Sequence, residues 1–520
     1  MHSASYVRQE PPADQGPAES WGSPGARPPS IDCPGTFLSC QDLTFRYGRA
    51  EEPVFSHISF SVRAGEAVLL MGPSGCGKST FAYCLAGLYP EYAGHMEGSI
   101  FLEQLPLSQY GPALRARKLS ILFQNPDNQF CMDRVDHEVM FALENIHYQG
   151  DIRERTRTLL DQVGLLDVEQ APIHTLSGGM KQKLALCTAL ATEARMLILD
   201  EPFANLDPAS CTSLAGLLAE LNRQGMTLLV VDHHPRWWRP FLSRVVFMEK
   251  EGDLDASSMT PEAFDQGKEA FQVRGLFYDD SWLEGIRRPA AGSVREDAQP
   301  DLMVEAEDLA IFHGKTLFME HLSFRIPKGS VTALVGACGS GKTTLLHALA
   351  GIGRCRGCLR VHGRPGLVFQ NPRFQFLATT VEDEILMTLG AGASPRSSGP
   401  DRKAEGDSVI REAAHRLLKE FGLLALKDHS PYAISQGQQR RLALLSMVAG
   451  DCPLMLLDEP TYAQDQQATR LILELLKGRV DQGLTVVMAT HDLELAEAFA
   501  DQVFVVDRGK IFQMKREEKT

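Results

Sequence analysis

Short, almost entirely apolar runs alternate with stretches of helical periodicity, and this pattern occurs twice along the chain. The runs are Ala67–Met71, Met196–Leu199 and Leu228–Val231 in the first half, and Val331–Val335, Leu454–Leu457 and Val486–Ala489 in the second half. Apolar runs of this length favour strands that are buried on both faces, as in a parallel sheet between helices. Upstream of the first run, Leu43–Tyr47 and Phe55–Phe60 have the alternating pattern of half-buried strands. The pattern predicts an α/β fold.

A glycine-rich loop follows the first buried run of each half and precedes a helical pattern. The loop residues are Gly72, Pro73, Ser74, Gly75, Cys76, Gly77, Lys78, Ser79 and Thr80 in the first half, and Gly336, Ala337, Cys338, Gly339, Ser340, Gly341, Lys342, Thr343 and Thr344 in the second. In this context the glycines turn backbone N–H groups toward a phosphate, and the helix presents its positive end to it. The lysines add a mobile charge, and the hydroxyls of Ser79 and Thr343 are placed to ligate Mg²⁺. We predict two phosphate-binding loops.

Four further motifs follow each phosphate loop in the same order. They are a glutamine after a strand (Gln124; Gln370), a serine that opens a helix with glycines (Ser177, Gly178, Gly179; Ser435, Gln436, Gly437), a strand-end carboxylate pair (Asp200, Glu201; Asp458, Glu459) and a strand-end histidine (His233; His491). The serine-to-aspartate separation is 23 residues in both halves (200 − 177 and 458 − 435), and the aspartate-to-histidine separation is 33 (233 − 200 and 491 − 458). This repeated order and spacing indicates duplication of a whole domain.

The repeated motifs supply what phosphoryl transfer needs, which is positioning and neutralisation of charge. Asp200 and Asp458 suit Mg²⁺ through water, and Glu201 and Glu459 suit a base that orients the attacking water. The other candidates are Gln124 and Gln370 for the metal or that water, His233 and His491 for the γ-phosphate, and Tyr47, with His313 at the matching position, for the purine base. For Tyr47 an ordinary place on the strand face is an equal alternative.

The composition mainly excludes other classes of protein, such as membrane-spanning, secreted and nucleic-acid-binding proteins. No apolar run approaches the roughly 18 residues that a membrane span requires, and the N-terminus lacks the pattern of a signal peptide. A net charge of −14 argues against a general nucleic-acid binder, so we expect no nucleic-acid partner. The eleven cysteines form no disulfide framework, which suits reduced thiols in a cytoplasmic protein.

The two copies define the predicted domain organisation. Residues 1–35 are rich in Pro, Gly and Ser and are expected to form a disordered tail. The first domain is predicted to span 36–285, a polar linker 286–301, and the second domain 302–520. Residues 254–284 extend the first copy and contain Phe264, Phe271 and Phe277, so we expect them to contact another part of the molecule.

Together these motifs resemble those of the ATP-binding-cassette ATPases, over residues 36–250 and 302–515. The resemblance implies tandem P-loop domains that bind ATP and Mg²⁺, each with a RecA-like core, an antiparallel β subdomain and a helical subdomain. It also implies that the two cassettes pair head to tail within the chain. One site would then contain Lys78, Glu201, Ser435 and Gly437, and the other Lys342, Glu459, Ser177, Gly178 and Gly179.

Smaller features resemble one branch of that family. The stretch Gln124–Gln129 is similar to energy-coupling-factor vitamin importers, and the fused cassettes are similar to the double ATPase of hydroxymethylpyrimidine/thiamine importers. This implies an ATPase at the cytoplasmic face of the membrane, with an integral membrane transport subunit and a small substrate-binding membrane subunit as partners. The alternatives are a fused sugar-importer ATPase and a soluble twin-cassette translation or repair factor.

Two differences along the repeat lead to further expectations. Gln436 stands where the first copy has Gly178, and a side chain there restricts φ, so we expect the site of Lys342, Glu459 and Ser177 to carry most turnover. The acidic segments Val135–Glu138 and Val381–Glu384 should each open a helix. Their carboxylates either stabilise the helix start or bind arginines of a membrane partner, and we expect the second role for Glu138 and Glu384.

Overall fold

The computed structural model describes residues 35–48, 50, 52–89, 93–204, 206–249, 252–260, 268–274, 276–287, 301–314, 316–337, 339–391, 400–450, 452–461 and 464–514. Residues 1–34 of the predicted tail and most of the predicted linker lie outside these residues. So does Cys338 of the second phosphate loop.

The first cassette contains one antiparallel and one largely parallel sheet. Its strands are β1 (Thr36–Tyr47), β2 (Phe55–Arg63), β3 (Ala67–Met71), β4 (Gly94–Leu102), β5 (Leu105–Pro106), β6 (Leu119–Leu122), β7 (Met196–Asp200), β8 (Thr227–Val231), β9 (Arg244–Met248) and β10 (Leu254–Met259). The four-stranded antiparallel sheet has the order β2-β1-β4-β5. The six-stranded sheet has the order β10-β9-β3-β8-β7-β6, and only β10 pairs antiparallel in it.

The second cassette repeats this arrangement. Its strands are β11 (Leu302–His313), β12 (Thr316–Pro327), β13 (Val331–Val335), β14 (Arg354–Val361), β15 (Pro365–Val368), β16 (Leu454–Asp458), β17 (Thr485–Thr490), β18 (Gln502–Asp507) and β19 (Lys510–Gln513). Among the described residues, the antiparallel sheet has the order β12-β11-β14, and the six-stranded sheet has the order β15-β16-β17-β13-β18-β19.

Helices cover the parallel sheets and form a separate subdomain in each cassette. Those of the first cassette are α1 (Lys78–Leu85), α2 (Pro112–Ala116), α3 (Val135–Asn145), α4 (Ile152–Gln162), α5 (Gly178–Ala191) and α6 (Pro208–Arg223), followed by α7 (Lys268–Val273). Those of the second are α8 (Lys342–Leu349), α9 (Val381–Ala391), α10 (Pro400–Glu420), α11 (Gln436–Ala449), α12 (Gln466–Val480) and α13 (Leu493–Phe499). Helices α3, α4 and α5 contact one another, as do α9, α10 and α11. The predicted tandem α/β fold is confirmed.

The apolar runs form strands that separate two hydrophobic cores. In β3, Leu69 and Met71 belong to the core beneath the helices, whereas Val68 and Leu70 belong to the core shared with the antiparallel sheet. Burying each such side chain contributes about 1.5–3 kcal/mol. A mainly apolar run is therefore what a strand between two cores requires, and the same division recurs in β13, where Thr332 is the one polar residue.

The strand order brings the candidate motifs to one edge of each sheet. Strand β8 lies between β3 and β7, and Asp200 at the end of β7 is paired with Val231 at the end of β8. In the second cassette Asp458 is paired with Ala489, and β17 in turn pairs with β13. Because parallel strands end together, the phosphate loop, the carboxylate pair and the histidine converge.

The extension after the first cassette contacts both cassettes. Strand β10 completes the first sheet, and Phe271 of α7 is fully buried in the core of the first cassette. The following 3₁₀ segment, Asp280–Ile286, places Leu283 and Ile286 in the core of the second cassette, against α12 and α13. The expected contact of the extension is therefore found, and it joins the two cassettes. Within the described parts of the chain, no helix is long and apolar enough to cross a membrane.

Candidate functional site

The phosphate loops contain glycines that the surrounding backbone requires. A Cβ added to Gly72 would lie 2.3 Å from the carbonyl oxygen of Met248, and one added to Gly336 would lie 2.2 Å from that of Val506. Gly77, just before the first helical lysine, has φ of +103°, a conformation that side chains disfavour. The glycine pattern thus sets the path of the loop between strand and helix.

Two polar side chains of the first phosphate loop are held by hydrogen bonds. Lys78 Nζ donates to the carbonyl oxygens of Gly72 and Pro73, each at 2.8 Å. Ser79 Oγ donates to Asp200 Oδ1 at 2.8 Å. Burial, reinforced by the charge of Glu201, raises the pKa of Asp200 to about 6. A cation beside this carboxylate would offset the cost of its burial.

Glu201 lies between the predicted glutamine and histidine. Its carboxylate accepts a hydrogen bond from Gln124 Nε2 at 2.5 Å, and its other oxygen lies 3.1 Å from His233 Nε2. Burial raises the pKa of Glu201, but the charge and hydrogen bond of His233 outweigh this and the net shift is downward. Glu201 has φ of +46°, a strained value for a non-glycine residue, and such strain is common at functional sites.

The second cassette repeats the lysine, hydroxyl and histidine contacts, with a different orientation of the histidine. Lys342 Nζ donates to two carbonyl oxygens of its own loop at 2.6 and 3.1 Å, and Thr343 Oγ1 donates to Asp458 Oδ2 at 2.8 Å. His491 lies 3.0 Å from Glu459 Oε2 but uses Nδ1, so its ring is turned relative to that of His233. The neighbouring Glu459 charge raises the pKa of His491. The φ of Glu459, +51°, matches that of the first cassette.

The sequence analysis missed Tyr83, which contacts Asp200, the candidate magnesium-binding aspartate of the first cassette. Its hydroxyl donates to Asp200 Oδ2 at 2.7 Å, so both carboxylate oxygens accept a hydrogen bond. Tyr83 follows Ser79 by four residues, which places both on one face of α1. That spacing is the signal that could have revealed it. The matching position of the second cassette is His347, whose ring contacts Phe369.

The aromatic candidate for the purine base lies beside the first phosphate loop. Tyr47 is 40% exposed, and its hydroxyl is 2.8 Å from Thr80 Oγ1. Its ring meets those of Phe45 and Tyr89 edge-on. This position is compatible with stacking on a base, which stays a prediction. His313 ends β11, and its side chain lies outside the described structure.

One composite site is visible where the second cassette faces the first phosphate loop. The backbone N–H of Ser74 donates to Asp465 Oδ2 at 2.7 Å, across 391 residues of sequence. A Cβ on Gly75 would lie 3.9 Å from Ser435 Oγ. Ser435 caps α11, with Gln438 completing a capping box. The structure therefore brings the first phosphate loop close to the serine–glycine motif of the second cassette, Ser435–Gly437, which we call its signature. At the reciprocal site, Asn205 and Cys338 lie outside the described residues.

The histidine motifs of the two cassettes also approach each other. Arg236, three residues after His233, pairs with Glu494 of the second cassette at 3.3 Å. His234 stacks on Phe277 of the extension, with ring centroids 3.9 Å apart. Burial, with the charges of His233 and His491, lowers the pKa of His234 to about 3. The extension thus contacts the residue next to a candidate catalytic histidine.

The expectation that the side chain of Gln436 restricts its backbone φ, and so makes the two sites unequal, is wrong. Gln436 and Gly178 are each the first residue of a helix, a conformation that any residue adopts. The side chain of Gln436 lies outside the described structure, so the inequality of the two sites stays a prediction.

The acidic segments open α3 and α9 as predicted, but the docking role expected for Glu138 and Glu384 is wrong. Their exposed fractions are 4% and 6%. Each carboxylate accepts hydrogen bonds from the backbone N–H groups seven and six residues upstream, at 2.9 and 2.7 Å for Glu138 and at 2.9 and 2.9 Å for Glu384. They hold the loop after the glutamine motif against the helix, because a buried carboxylate needs such donors.

The residues present fit a magnesium nucleotide. The buried hydroxyls of Ser74 and Ser340, in the two phosphate loops, have no hydrogen-bond partner in the described structure. A hydroxyl and a carboxylate lie together at Ser79 and Asp200, and the same pair recurs in the second cassette. Oxygen ligands of this kind are those that Mg²⁺ prefers. The fold and these sites define a twin-cassette P-loop ATPase.

Comparison with known proteins agrees with this class. The family model described as ABC transporter matches residues 55–204 and 319–462, so the chain belongs to the ABC transporter family. It therefore binds ATP with Mg²⁺ and hydrolyses it. A Bacillus subtilis protein, provisionally named HMP/thiamine import ATP-binding protein YkoD, is 36% identical over 511 residues, covering 91% of each chain. A Bacillus cereus protein, provisionally named ABC transporter ATP-binding protein, is 32% identical and covers 90% of each chain.

Solved structures show the same tandem fold. The archaeal ribosome recycling factor aABCE1, in its complex with the ribosomal stalk protein aP1, aligns with a TM-score of 0.57 at 22% identity, covering 91% of this chain and 90% of that one. The structure named RNase-L Inhibitor aligns with a TM-score of 0.57 at 20% identity, covering 92% and 91%. At these identities the likeness concerns the fold alone.

Proposed function

We propose that Glu201 and Glu459 orient the water that attacks ATP, and that His233 and His491 contact its γ-phosphate. The support is geometric, because each glutamate is largely shielded from solvent and lies beside its histidine, at 3.1 and 3.0 Å. The histidine donates to the carboxylate and keeps it charged, and a charged carboxylate accepts a proton from water. Gln124 donates a second hydrogen bond to Glu201, so a movement of Gln124 would displace the glutamate side chain.

The phosphate loops and the strand-end aspartates would hold the magnesium nucleotide. Lys78 and Lys342 would bind its phosphates, and Ser79, Thr343, Asp200 and Asp458 would hold Mg²⁺ directly or through water, with Gln124 and Gln370 nearby. Bound Mg²⁺ supplies neutralisation of phosphate charge. Ser435 and Gly437 would complete the Lys78 site, and Ser177, Gly178 and Gly179 would complete the Lys342 site.

We also propose that the chain is the ATPase subunit of an energy-coupling-factor importer for a vitamin or its precursor, of the hydroxymethylpyrimidine/thiamine class. It would act as a peripheral protein at the cytoplasmic face of the membrane, with an integral transport subunit and a small substrate-binding subunit. The named relative from Bacillus subtilis supports the substrate class. One structural observation supports the membrane partner, and it lies after the second glutamine motif.

That observation is an exposed apolar surface, which we name the docking patch. It consists of Phe374, Leu377, Met387 and Tyr432, with exposed fractions of 77%, 80%, 52% and 50%. Tyr432 donates from its hydroxyl to the carbonyl oxygen of Phe376, and Leu377 N–H donates to Glu384 of α9, one turn before Met387. These contacts place Tyr432 and α9 against the segment 376–377, which follows the glutamine motif. Large exposed apolar patches mark interaction sites.

The first cassette is less apolar at three of the four matching positions, whereas Met387 corresponds to Phe141. Phe374 and Leu377 correspond to Asn128 and Cys131, by the offset of 246 residues between the glutamines (370 − 124). Tyr432 corresponds to His174, by the offset of 258 between the signature serines (435 − 177). A membrane partner would therefore present a more apolar helix to the second cassette than to the first.

Charging the docking patch should separate the ATPase from its membrane partner. We expect Leu377→Glu combined with Met387→Glu to reduce copurification with coexpressed membrane subunits about tenfold, as loss of interface anchors does. Basal ATP hydrolysis of the isolated protein should stay unchanged. Val273→Glu, at a residue that is 83% exposed on the extension, is the matched control. Undiminished copurification of the double variant would remove the patch from the interface.

Uptake measurements separate the importer from its alternatives. Cells that express the chain with its neighbouring membrane proteins should accumulate labelled hydroxymethylpyrimidine or thiamine, and the phosphate-loop variants Lys78→Ala and Lys342→Ala should abolish this. Accumulation of sugars instead would indicate the sugar-importer alternative. Sedimentation with ribosomes, without membrane association, would indicate a twin-cassette translation factor.

A further inference from the structure

A buried arginine joins three motifs of the second cassette. Arg440 lies on α11, the helix that Ser435 opens, and its side chain is fully buried. Its guanidinium donates to the carbonyl oxygens of Asp458, at 3.2 Å, and of Glu459, and to that of Gln370 at 2.6 Å. One side chain thus contacts the backbone at the carboxylate pair and at the glutamine motif.

The contacts of Arg440 matter because the two segments that it bonds, at Glu459 and at Gln370, have defined backbone conformations. Glu459 has φ of +51°, and its own N–H is bonded to Ala489 at 3.0 Å. Asn371, which follows Gln370, caps the next turn through its side chain. A planar guanidinium with several fixed donors can hold both segments at once, which an amide or an ammonium cannot do.

The matching residue of the first cassette makes no such connection. It is Gln182, by the offset of 258 residues, and it is also buried. Neither its side-chain nitrogen nor its oxygen has a hydrogen-bond partner in the described structure. The arginine also brings a permanent charge next to Asp458 and Glu459, and these carboxylates compensate it. Among the described residues, the two cassettes therefore differ in one contact: α11 is bonded through Arg440 to the end of β16, whereas Gln182 of α5 makes no such bond to β7.

We propose that Arg440 is a positioning residue that connects the two ATP sites through the second cassette. Its helix begins at Ser435, which faces Gly75 at the Lys78 site. Its guanidinium holds Glu459, which belongs to the Lys342 site. If α11 shifts when a nucleotide binds at the Lys78 site, Arg440 would transmit that shift to Glu459 at the Lys342 site. The inference rests on the proposed roles of Ser435 and Glu459.

The test measures each site separately. Glu201→Gln leaves turnover to the Lys342 site, and Glu459→Gln leaves it to the Lys78 site. In both backgrounds Arg440→Gln should lower kcat about tenfold, since a small misplacement of reacting groups has effects of this size. The affinity for ATP should change less than kcat, because the phosphate loops are untouched. Arg440→Lys should restore little, as it keeps the charge without the fork of donors.

Arg441→Gln is the matched control, because it removes another guanidinium from the same helix. That guanidinium donates to the carbonyl oxygen of Phe421. It should leave kcat unchanged in both backgrounds, at a melting temperature similar to that of Arg440→Gln. An effect of Arg440→Gln in only one background, or equal effects of the two arginine variants, overturns the connection. So does failure of both Arg440 variants to fold. If Glu201→Gln and Glu459→Gln themselves leave turnover intact, the proposed catalytic roles fail instead.

Discussion

Replacing Glu201 and Glu459 together by glutamine should abolish ATP turnover while the protein keeps ATP bound. Glutamine has the shape of glutamate and can accept the histidine hydrogen bond, but it cannot take a proton from water. Loss of a general base lowers kcat about 10²–10⁴-fold. The lysines and hydroxyls that would bind phosphate and Mg²⁺ stay in place, so the cassettes should remain closed on unhydrolysed ATP.

Retention of labelled ATP after gel filtration, with phosphate release measured on the same sample, checks this result. The control is the pair Lys78→Ala and Lys342→Ala, which should lose binding and turnover together. A double glutamate variant that releases ATP as the control does would make these glutamates binding or structural residues. Substantial residual turnover would exclude them as the groups that orient water.

The single variants should differ, with Glu459→Gln lowering kcat about tenfold more than Glu201→Gln, an effect that small changes of geometry at a reacting centre can produce. In the proposed pairing Glu459 would act in the site that Ser177, Gly178 and Gly179 complete, where two glycines carry no side chain. The Lys78 site would be completed by Ser435, Gln436 and Gly437 instead. The Lys78 site would thus carry a glutamine where the other site carries a glycine.

Steady-state hydrolysis of the two single variants at saturating ATP measures the difference. Gln436→Gly provides the matched test, because it gives the Lys78 site the glycine pair that the other site has. It should raise the turnover that remains in the Glu459→Gln background and leave the Glu201→Gln background nearly unchanged. Equal losses in the two single variants, or the reverse order, would contradict unequal sites.

The sequence by itself determined the tandem α/β fold, the two phosphate loops and the order of the catalytic motifs. These features are local: an uninterrupted apolar run suits a strand between two cores, and a Cβ at Gly72 would clash with Met248. Motif spacing then follows from strand order, since parallel strands end at one edge. The helix starts at Val135 and Val381 were also readable from the acidic segments.

Only the tertiary structure decided which polar side chains are available to a partner and which are held inside. Glu138 looked like an exposed helix-start acid, yet the preceding loop folds back and buries it with two N–H donors. Tyr83 and Arg440 carried no motif, and their roles depend on the strand ends that approach their helices. The bond from Ser74 to Asp465 joins residues 391 positions apart. Such contacts arise from the relative placement of whole elements, which local residue preferences do not encode.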